Sequence, residues 1–298
     1  MSNQDIADTL ERSIYDYVDG WMLWRPNRDR WIEQKLNAEN YQEGYLYLIE
    51  QHCGGLEGRK VLDLGCGMGG LTVAAKRRGG QVVSLDPGED HLEITGLRLA
   101  KYGYEADNLL QGIGERLPFA DASFDLLCAL YVLEHVDDPQ SVLGEMSRVL
   151  KPGGAALVTY VRRFAIIEPH YLLPFITWLP TRFAERLIRI TGRHTGRTPT
   201  GRLEIARMHF YRDGGFRDAV ARAGFRRCET PAARQIDDPK LIGNPLLRIL
   251  VSLARYPVMR RMILLAIGII RSSRTCVLVK GRGQRGSEAT SSQQIEQV

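Results

Sequence analysis

The segment Val61-Leu62-Asp63-Leu64-Gly65-Cys66-Gly67-Met68-Gly69-Gly70 constrains the fold more than any other part of the 298-residue chain. Its apolar run predicts a strand over 61–64, and the glycines that follow let the backbone turn sharply into a helix over 69–77. A helix reached through glycines presents unpaired backbone N–H groups to a ligand. Downstream the unit recurs with other residues. Strands are predicted over 81–85, 107–111, 124–130 and 155–161, and helices over 89–101 and 139–150. Asp138 supplies an N-cap for the last of these helices, and Lys151-Pro152-Gly153-Gly154 reads as the turn after it. A helix over 212–223 and strands over 225–229 and 275–280 complete the pattern. Strands alternating with helices predict an α/β fold, a doubly wound Rossmann-like sheet of seven mostly parallel strands.

Residues 1–55 are expected to form an N-terminal helical cap rich in aromatics. The main domain then runs over 56–281, with helical insertions at about 162–207 and 236–272. Residues 282–298, dominated by Gly, Ser, Gln and Glu, read as a disordered tail. Five dispersed cysteines without a Cys-x-x-Cys pair fit free thiols in a reducing cytoplasm. The N-terminus carries no basic-then-apolar leader pattern, and the most apolar run, over 262–270, falls well short of the about 18 residues that span a bilayer. The expectation is a cytoplasmic protein.

The glycine loop alone leaves its ligand open. Gly65-x-Gly67-x-x-Gly70 also satisfies the spacing of dinucleotide-binding loops. A carboxylate inside the strand, Asp63, suits a ligand with a cationic amino-acid end and would repel a pyrophosphate. Asp86, at the end of the second strand, can accept both ribose hydroxyls of either ligand. Four further motifs follow: Gly114-Glu115-Arg116-Leu117-Pro118-Phe119, then Ser123-Phe124-Asp125, then Leu133-Glu134-His135-Val136, then Arg148-Val149-Leu150-Lys151-Pro152-Gly153-Gly154. In this order and spacing, over residues 55–161 and more weakly 205–230, the chain resembles the class I S-adenosylmethionine-dependent methyltransferases. Within them it is most similar to the broad group that includes ubiquinone-biosynthesis methyltransferases. The resemblance implies S-adenosylmethionine as cofactor, with Asp63, Gly65, Cys66, Gly67 and Gly69 around its methionine part. It implies Asp86, followed by Pro87, at the ribose, and Ile113 and Gly114 flanking the adenine. Leu130 would offer its backbone carbonyl to the ammonium. The chain departs from the pattern at Ile113, where such enzymes often carry Asp, so packing and backbone groups would hold the adenine.

Methyl transfer from a sulfonium needs mainly orientation and proximity, with a base where the acceptor is a hydroxyl. His135, just after the fourth strand, His209, after the first insertion, and Tyr131, at the strand end, are the candidates. Glu134 and His135 raise the question of a metal. Some ubiquinone-type relatives add an acidic residue where this chain has Tyr131, so no metal is expected. Nucleic acid is disfavoured as acceptor. The stretch Ala129-Leu130-Tyr131-Val132 replaces the Asn/Asp-Pro-Pro-aromatic run of base N6-methylation, and no Pro-Cys nucleophile is present.

Charge is distributed unevenly. Residues 161–280 carry 23 Lys+Arg against 8 Asp+Glu, whereas the rest of the chain carries 17 against 27. Arg182, Arg186, Arg189 and Arg193 recur at helical spacing and predict one basic stripe, beside Phe183, Leu187 and Ile190 and after an apolar stretch with Phe175 and Trp178. One reading is a helical lid whose arginines are solvated. The other is a peripheral surface for anionic membrane, with a small-molecule or lipid-linked acceptor. Rival functions are a cofactor-binding scaffold without turnover, an RNA-directed methyltransferase and a nicotinamide oxidoreductase.

Overall fold

The computed structural model describes residues 2–19, 28–193, 205–229 and 272–281. Its seven-stranded sheet has the order β3-β2-β1-β4-β5-β7-β6. The strands are β1 (Lys60–Leu64), β2 (Gln81–Asp86), β3 (Leu109–Gln111), β4 (Phe124–Leu130), β5 (Leu150–Val161), β6 (Phe225–Glu229) and β7 (Ser273–Lys280). The first five pair in parallel, and β7 runs antiparallel to both β5 and β6. The expected mostly parallel, doubly wound sheet is therefore present. Strand order reverses between β1 and β4, and a crevice for a ligand opens at such a reversal, at the carboxyl ends of the strands.

Among the described residues there are eight α-helices: α1 (Asn3–Asp19), α2 (Arg28–Leu36), α3 (Ala38–Cys53), α4 (Gly70–Arg77), α5 (Glu89–Lys101), α6 (Pro139–Val149), α7 (Thr181–Ile190) and α8 (Asp213–Arg222). Alternation along each central strand sorts the core into two layers. Val61, Leu126, Cys128, Ala155, Leu157 and Val277 face α3 and α4. Leu62, Leu127, Ala129, Ala156, Val158 and Leu278 face α6 and α8. Both faces are buried, as parallel sheets require.

Three details differ from the sequence reading. The expected turn at Lys151–Gly154 is the irregular start of β5. Leu150 pairs with Phe124, and regular pairing resumes only at Leu126 with Ala155. A bulge absorbs the extra residues there, with Gly153 at φ +81°. Second, the first 55 residues are not one unit. Leu46, Leu48 and Ile49 of α3 belong to the sheet's own core. By contrast, Leu10, Ile14, Val18 and Ile32 of α1 and α2 form a separate cluster with Met68 of the glycine loop and Ile94 of α5. Third, the arginine stripe is shorter than its spacing suggests. α7 ends at Ile190, and Arg193 folds back to donate to the carbonyls of Tyr171 and Leu172. The second insertion, at about 236–272, and the tail at 282–298 lie outside the described residues, apart from Ser272.

Candidate active site

A cavity of about 880 Å³ opens at the reversal point, where β1, β2 and β4 end. Its floor is the glycine loop. Gly65 has φ +69°, and a Cβ there would come within 2.5 Å of Val132 Cγ2, so the loop can follow this path only with glycine at that position. Gly65 and Cys66 donate their N–H groups to the Leu85 carbonyl, which ties the loop to the end of β2. Cys66 is buried, and its burial pushes the thiol well above the ordinary range, so it packs as a thiol and not as a thiolate.

Asp86 ends β2 in the cavity wall and is almost fully buried. Its Oδ2 accepts the Gly67 N–H at 2.9 Å, and its Oδ1 accepts the Gly88 N–H at 2.9 Å. His91 Nδ1 lies 2.9 Å from the same Oδ1, while His91 Nε2 lies 2.7 Å from the Tyr17 hydroxyl of α1. One carboxylate thus joins the glycine loop, α5 and the N-terminal helix.

Of the residues singled out from sequence, Gly65, Cys66, Gly67, Asp86, Pro87, Ile113, Gly114, Leu130, Tyr131 and His135 all line this cavity. Ile113 is half-exposed in its wall. Tyr131 holds a left-handed backbone at φ +60°, uncommon for a non-glycine residue and of the kind that concentrates at functional sites. Its hydroxyl lies 3.4 Å from that of Tyr45 and 3.3 Å from Ser273 Oγ.

Asp63, Gly69 and His209 stand elsewhere. Asp63 is buried behind the loop, where it accepts a 2.6 Å hydrogen bond from the Thr72 hydroxyl, itself 2.8 Å from Ser84 Oγ. Burial pushes its carboxyl up to about 7. It braces β1 against α4 and is not in the cavity wall. The strand alternates, so the residue two before the loop points to the α4 side, not along the strand toward the cavity. Gly69 is the left-handed N-cap of α4. His209 donates its backbone N–H to the Glu134 carbonyl at 3.1 Å, and its side chain lies outside the cavity wall.

The cavity also contains a group that sequence reasoning missed. The first insertion leaves β5, loops back and places Pro169 and His170 in the cavity wall. His170 meets His135 ring edge to face, with centroids 4.9 Å apart. Donor atoms of Glu134, His135 and His170 lie within 4.8 Å of one another. Both carboxylate oxygens of Glu134 are buried without a hydrogen-bond partner among the described residues, and burial pushes that carboxyl up to about 7. Burial, followed by the charge of His170, pushes His135 down to about 3, so His135 is neutral. Behind His170 stands Glu168, fully buried. Its Oε1 is 2.5 Å from His170 Nδ1, and its Oε2 accepts the backbone N–H groups of His170 and Tyr171. The short motif Glu168-Pro169-His170 was the available signal, but it sits 33 residues beyond His135 in a stretch without periodic pattern.

The sheet and its crevice form a Rossmann-like domain, and residues 62–158 match the family described as methyltransferase domain. More particularly, the chain is similar to several curated ubiquinone biosynthesis O-methyltransferases. The one from Erwinia tasmaniensis is 34% identical over 134 residues, which is 43% of this chain and 55% of that protein. The one from Idiomarina loihiensis is 38% identical over 118 residues, 40% of this chain and 49% of that protein. The chain therefore spans about half the length of the curated relatives it matches. Among solved structures, a putative sarcosine dimethylglycine methyltransferase from Galdieria sulphuraria superposes with a TM-score of 0.50 at 17% identity, covering 82% of this chain and 86% of that one. That likeness concerns the fold.

Proposed function

We propose that this chain transfers a methyl group from S-adenosylmethionine to a hydroxyl or amine of a small or lipid-like acceptor, as a cytoplasmic protein working against the inner face of a membrane. The observation that carries the reading is the cavity at the reversal point, lined by the glycine loop, Asp86, the end of β4 and the first insertion. Its residues suit the cofactor. Asp86 would accept two ribose hydroxyls, the Gly65–Gly67 backbone would take the methionine part, and Leu130, at the end of β4 in the wall, would offer its carbonyl to the ammonium. Ile113 and Gly114 offer an apolar edge and backbone to an adenine. Bound there, S-adenosylmethionine supplies an activated methyl group. The protein's part is then to orient an acceptor and to keep water away. His135 and Tyr131 are in place to contact the acceptor, while His209 acts on it only through the Glu134 backbone it holds.

The membrane part of the reading rests on the outer face of the first insertion. Among the described residues, seven of the thirteen exposed large hydrophobic side chains fall between Phe164 and Ile190. The cavity wall residues Pro169 and His170 belong to the same segment, so an acceptor resting in lipid would have a short path to the site. The relatives' name concerns ubiquinone biosynthesis, which fits a lipid-like acceptor.

Calorimetry and product analysis on the full chain test the central claim. The expected result is binding of S-adenosylmethionine together with acceptor-dependent release of S-adenosylhomocysteine. Binding without turnover on any hydroxyl or amine acceptor would leave a cofactor-binding scaffold. Nicotinamide binding with no affinity for S-adenosylmethionine would overturn the reading altogether.

A further inference from the structure

We propose that His170, held by Glu168, is the general base that takes the proton of a hydroxyl acceptor in this cavity. The proposal rests on the methyl-transfer reading above and deepens it by assigning the base.

Three observations converge on His170. It is part of the cavity wall, packed against His135 just after the end of β4. Its Nδ1 is 2.5 Å from Glu168 Oε1, and against a carboxylate that nitrogen carries the hydrogen, which makes Nε2 the basic nitrogen. Glu168 is itself immobilised: fully buried, it accepts two backbone N–H groups at 2.8 and 2.7 Å through its other oxygen. A base oriented by a third, fixed group is the arrangement that activates hydroxyl nucleophiles on many folds.

The charges around the imidazole point the same way. Among the described residues, Glu168 on its own loop and Glu134 and His135 on the segment after β4 face His170. Glu168 is the carboxylate at the ring, and it pairs with the imidazolium that forms when Nε2 takes a proton. His135, the candidate from sequence, is worse placed for the role. Burial and the neighbouring His170 hold it down to about 3, and an imidazole so averse to a proton removes one poorly. His135 then serves as a neutral wall against which the His170 ring is packed.

The step balances as follows. A lone pair of the acceptor oxygen forms the new bond to the methyl carbon. The electron pair of the breaking carbon–sulfur bond stays on sulfur, which becomes neutral. The hydroxyl proton passes to Nε2 of His170, and the resulting imidazolium is paired with Glu168 until the proton leaves to water.

The test uses the full chain, S-adenosylmethionine and two phenols at a mildly alkaline pH: catechol, which is un-ionised there, and 4-nitrophenol, which is already ionised and needs no base. For His170→Asn the expected result is a fall in kcat of about 10²-fold or more with catechol. The 4-nitrophenol rate and the cofactor affinity should be retained. The same pattern, with a smaller loss, is expected for Glu168→Gln, which positions the base without touching the acceptor. Retention of the 4-nitrophenol rate also shows that each variant is folded. Undiminished catechol turnover in His170→Asn overturns the proposal, as does equal loss with both phenols. Activity that vanishes on chelation and returns with a divalent cation also overturns it, because the cluster would then hold an ion. A wild-type chain that binds the cofactor but methylates neither phenol instead defeats the hydroxyl-acceptor reading beneath it.

Discussion

Asp86 and Asp63 are both buried carboxyls at strand positions beside the glycine loop, and the structure gives them opposite tasks. Asp86 stands in the cavity wall, where its oxygens already gather donors from Gly67, Gly88 and His91. Charge-assisted hydrogen bonds to two ribose hydroxyls are worth about 1.5–3 kcal/mol each, so Asp86→Ala should weaken S-adenosylmethionine binding by about 10²-fold or more. Calorimetry checks this, and affinity at the wild-type level would end the ribose assignment. Asp63 instead lies behind the loop, and its carboxyl is pushed from 3.8 to about 7 by burial. Below 3.8 the folded and unfolded states both hold the proton, and between there and about 7 only the folded state does. The wild type therefore loses stability through this group as pH rises across that window, and the loss is complete above it. Asp63→Asn removes the dependence. Its stability relative to wild type should rise between about pH 4 and 7 and then level off, by at most about 4 kcal/mol for a shift of this size. Urea melts across that range measure it, and a flat difference would show that Asp63 is not the buried acid described here. The sequence carried both aspartates plainly, but it did not carry their depth. The register sets Asp63 beside Ser84, inside the sheet, and Asp86 two residues further along the same face, at the strand end where the cavity opens.

At the scale of elements, one side chain ties α2 and α3 to the glycine loop. Arg98 of α5 is fully buried and donates to the carbonyls of Met68, Leu36 and Lys35 and to Glu39. Tyr102, one turn on, donates to the other oxygen of Glu39 at 2.6 Å. Arg98→Met leaves Glu39 as an uncompensated buried charge, and breaking such a pair costs about 3–5 kcal/mol. Replacing both partners, Arg98→Met with Glu39→Met, should cost much less. Denaturant melts of the single and double variants decide the matter. The single variant should also bind S-adenosylmethionine more weakly, because the Met68 carbonyl belongs to the loop. Nothing in the spacing of residues 28–39 and 98 announces this junction, since each partner reads from sequence as an ordinary charged position on an amphipathic helix. The glycine loop, the alternation of strands with helices and most element limits were legible, because period and turn chemistry are local. Even the early end of α7 had a local mark, Gly192, which takes φ +65° just past the helix. Reading the arginines by spacing alone carried the stripe one residue too far, to Arg193. The pairing of Glu168–His170 with Glu134–His135 was not legible, because it depends on an insertion folding back across the end of β4.

At the scale of the whole molecule, the division of charge along the chain takes a spatial form. The acidic part builds the first strands and the cofactor side, and the arginine-rich part begins where β5 ends. On α7, Arg182, Arg186 and Arg189 are exposed beside Phe183 and Ile190, while Ala184 and Ile188 anchor the helix inward. Phe175 and Trp178 are about half exposed just before it, with rings packed edge to face 5.1 Å apart. The indole N–H of Trp178 donates to the Ala165 carbonyl, so its polar atom is already satisfied and the exposed part is hydrocarbon. A solvated lid gains nothing from holding such rings out in water, whereas a membrane interface accepts both the rings and the guanidinium groups. Each basic residue at an anionic surface contributes about 1 kcal/mol. Reversing three of them, Arg182→Glu, Arg186→Glu and Arg189→Glu, should therefore lower partition into phosphatidylserine-containing vesicles by 10²-fold or more. Raising salt should weaken wild-type binding in the same direction, since the Debye length contracts to about 3 Å at 1 M. Trp178→Ser should reduce the binding that survives high salt, because that part rests on apolar contact. Flotation with anionic and neutral vesicles separates the two contributions. Equal recovery of the triple variant and the wild type on anionic vesicles would return α7 to the role of a solvated lid. The acceptor would then have to reach His170 from water, not from lipid.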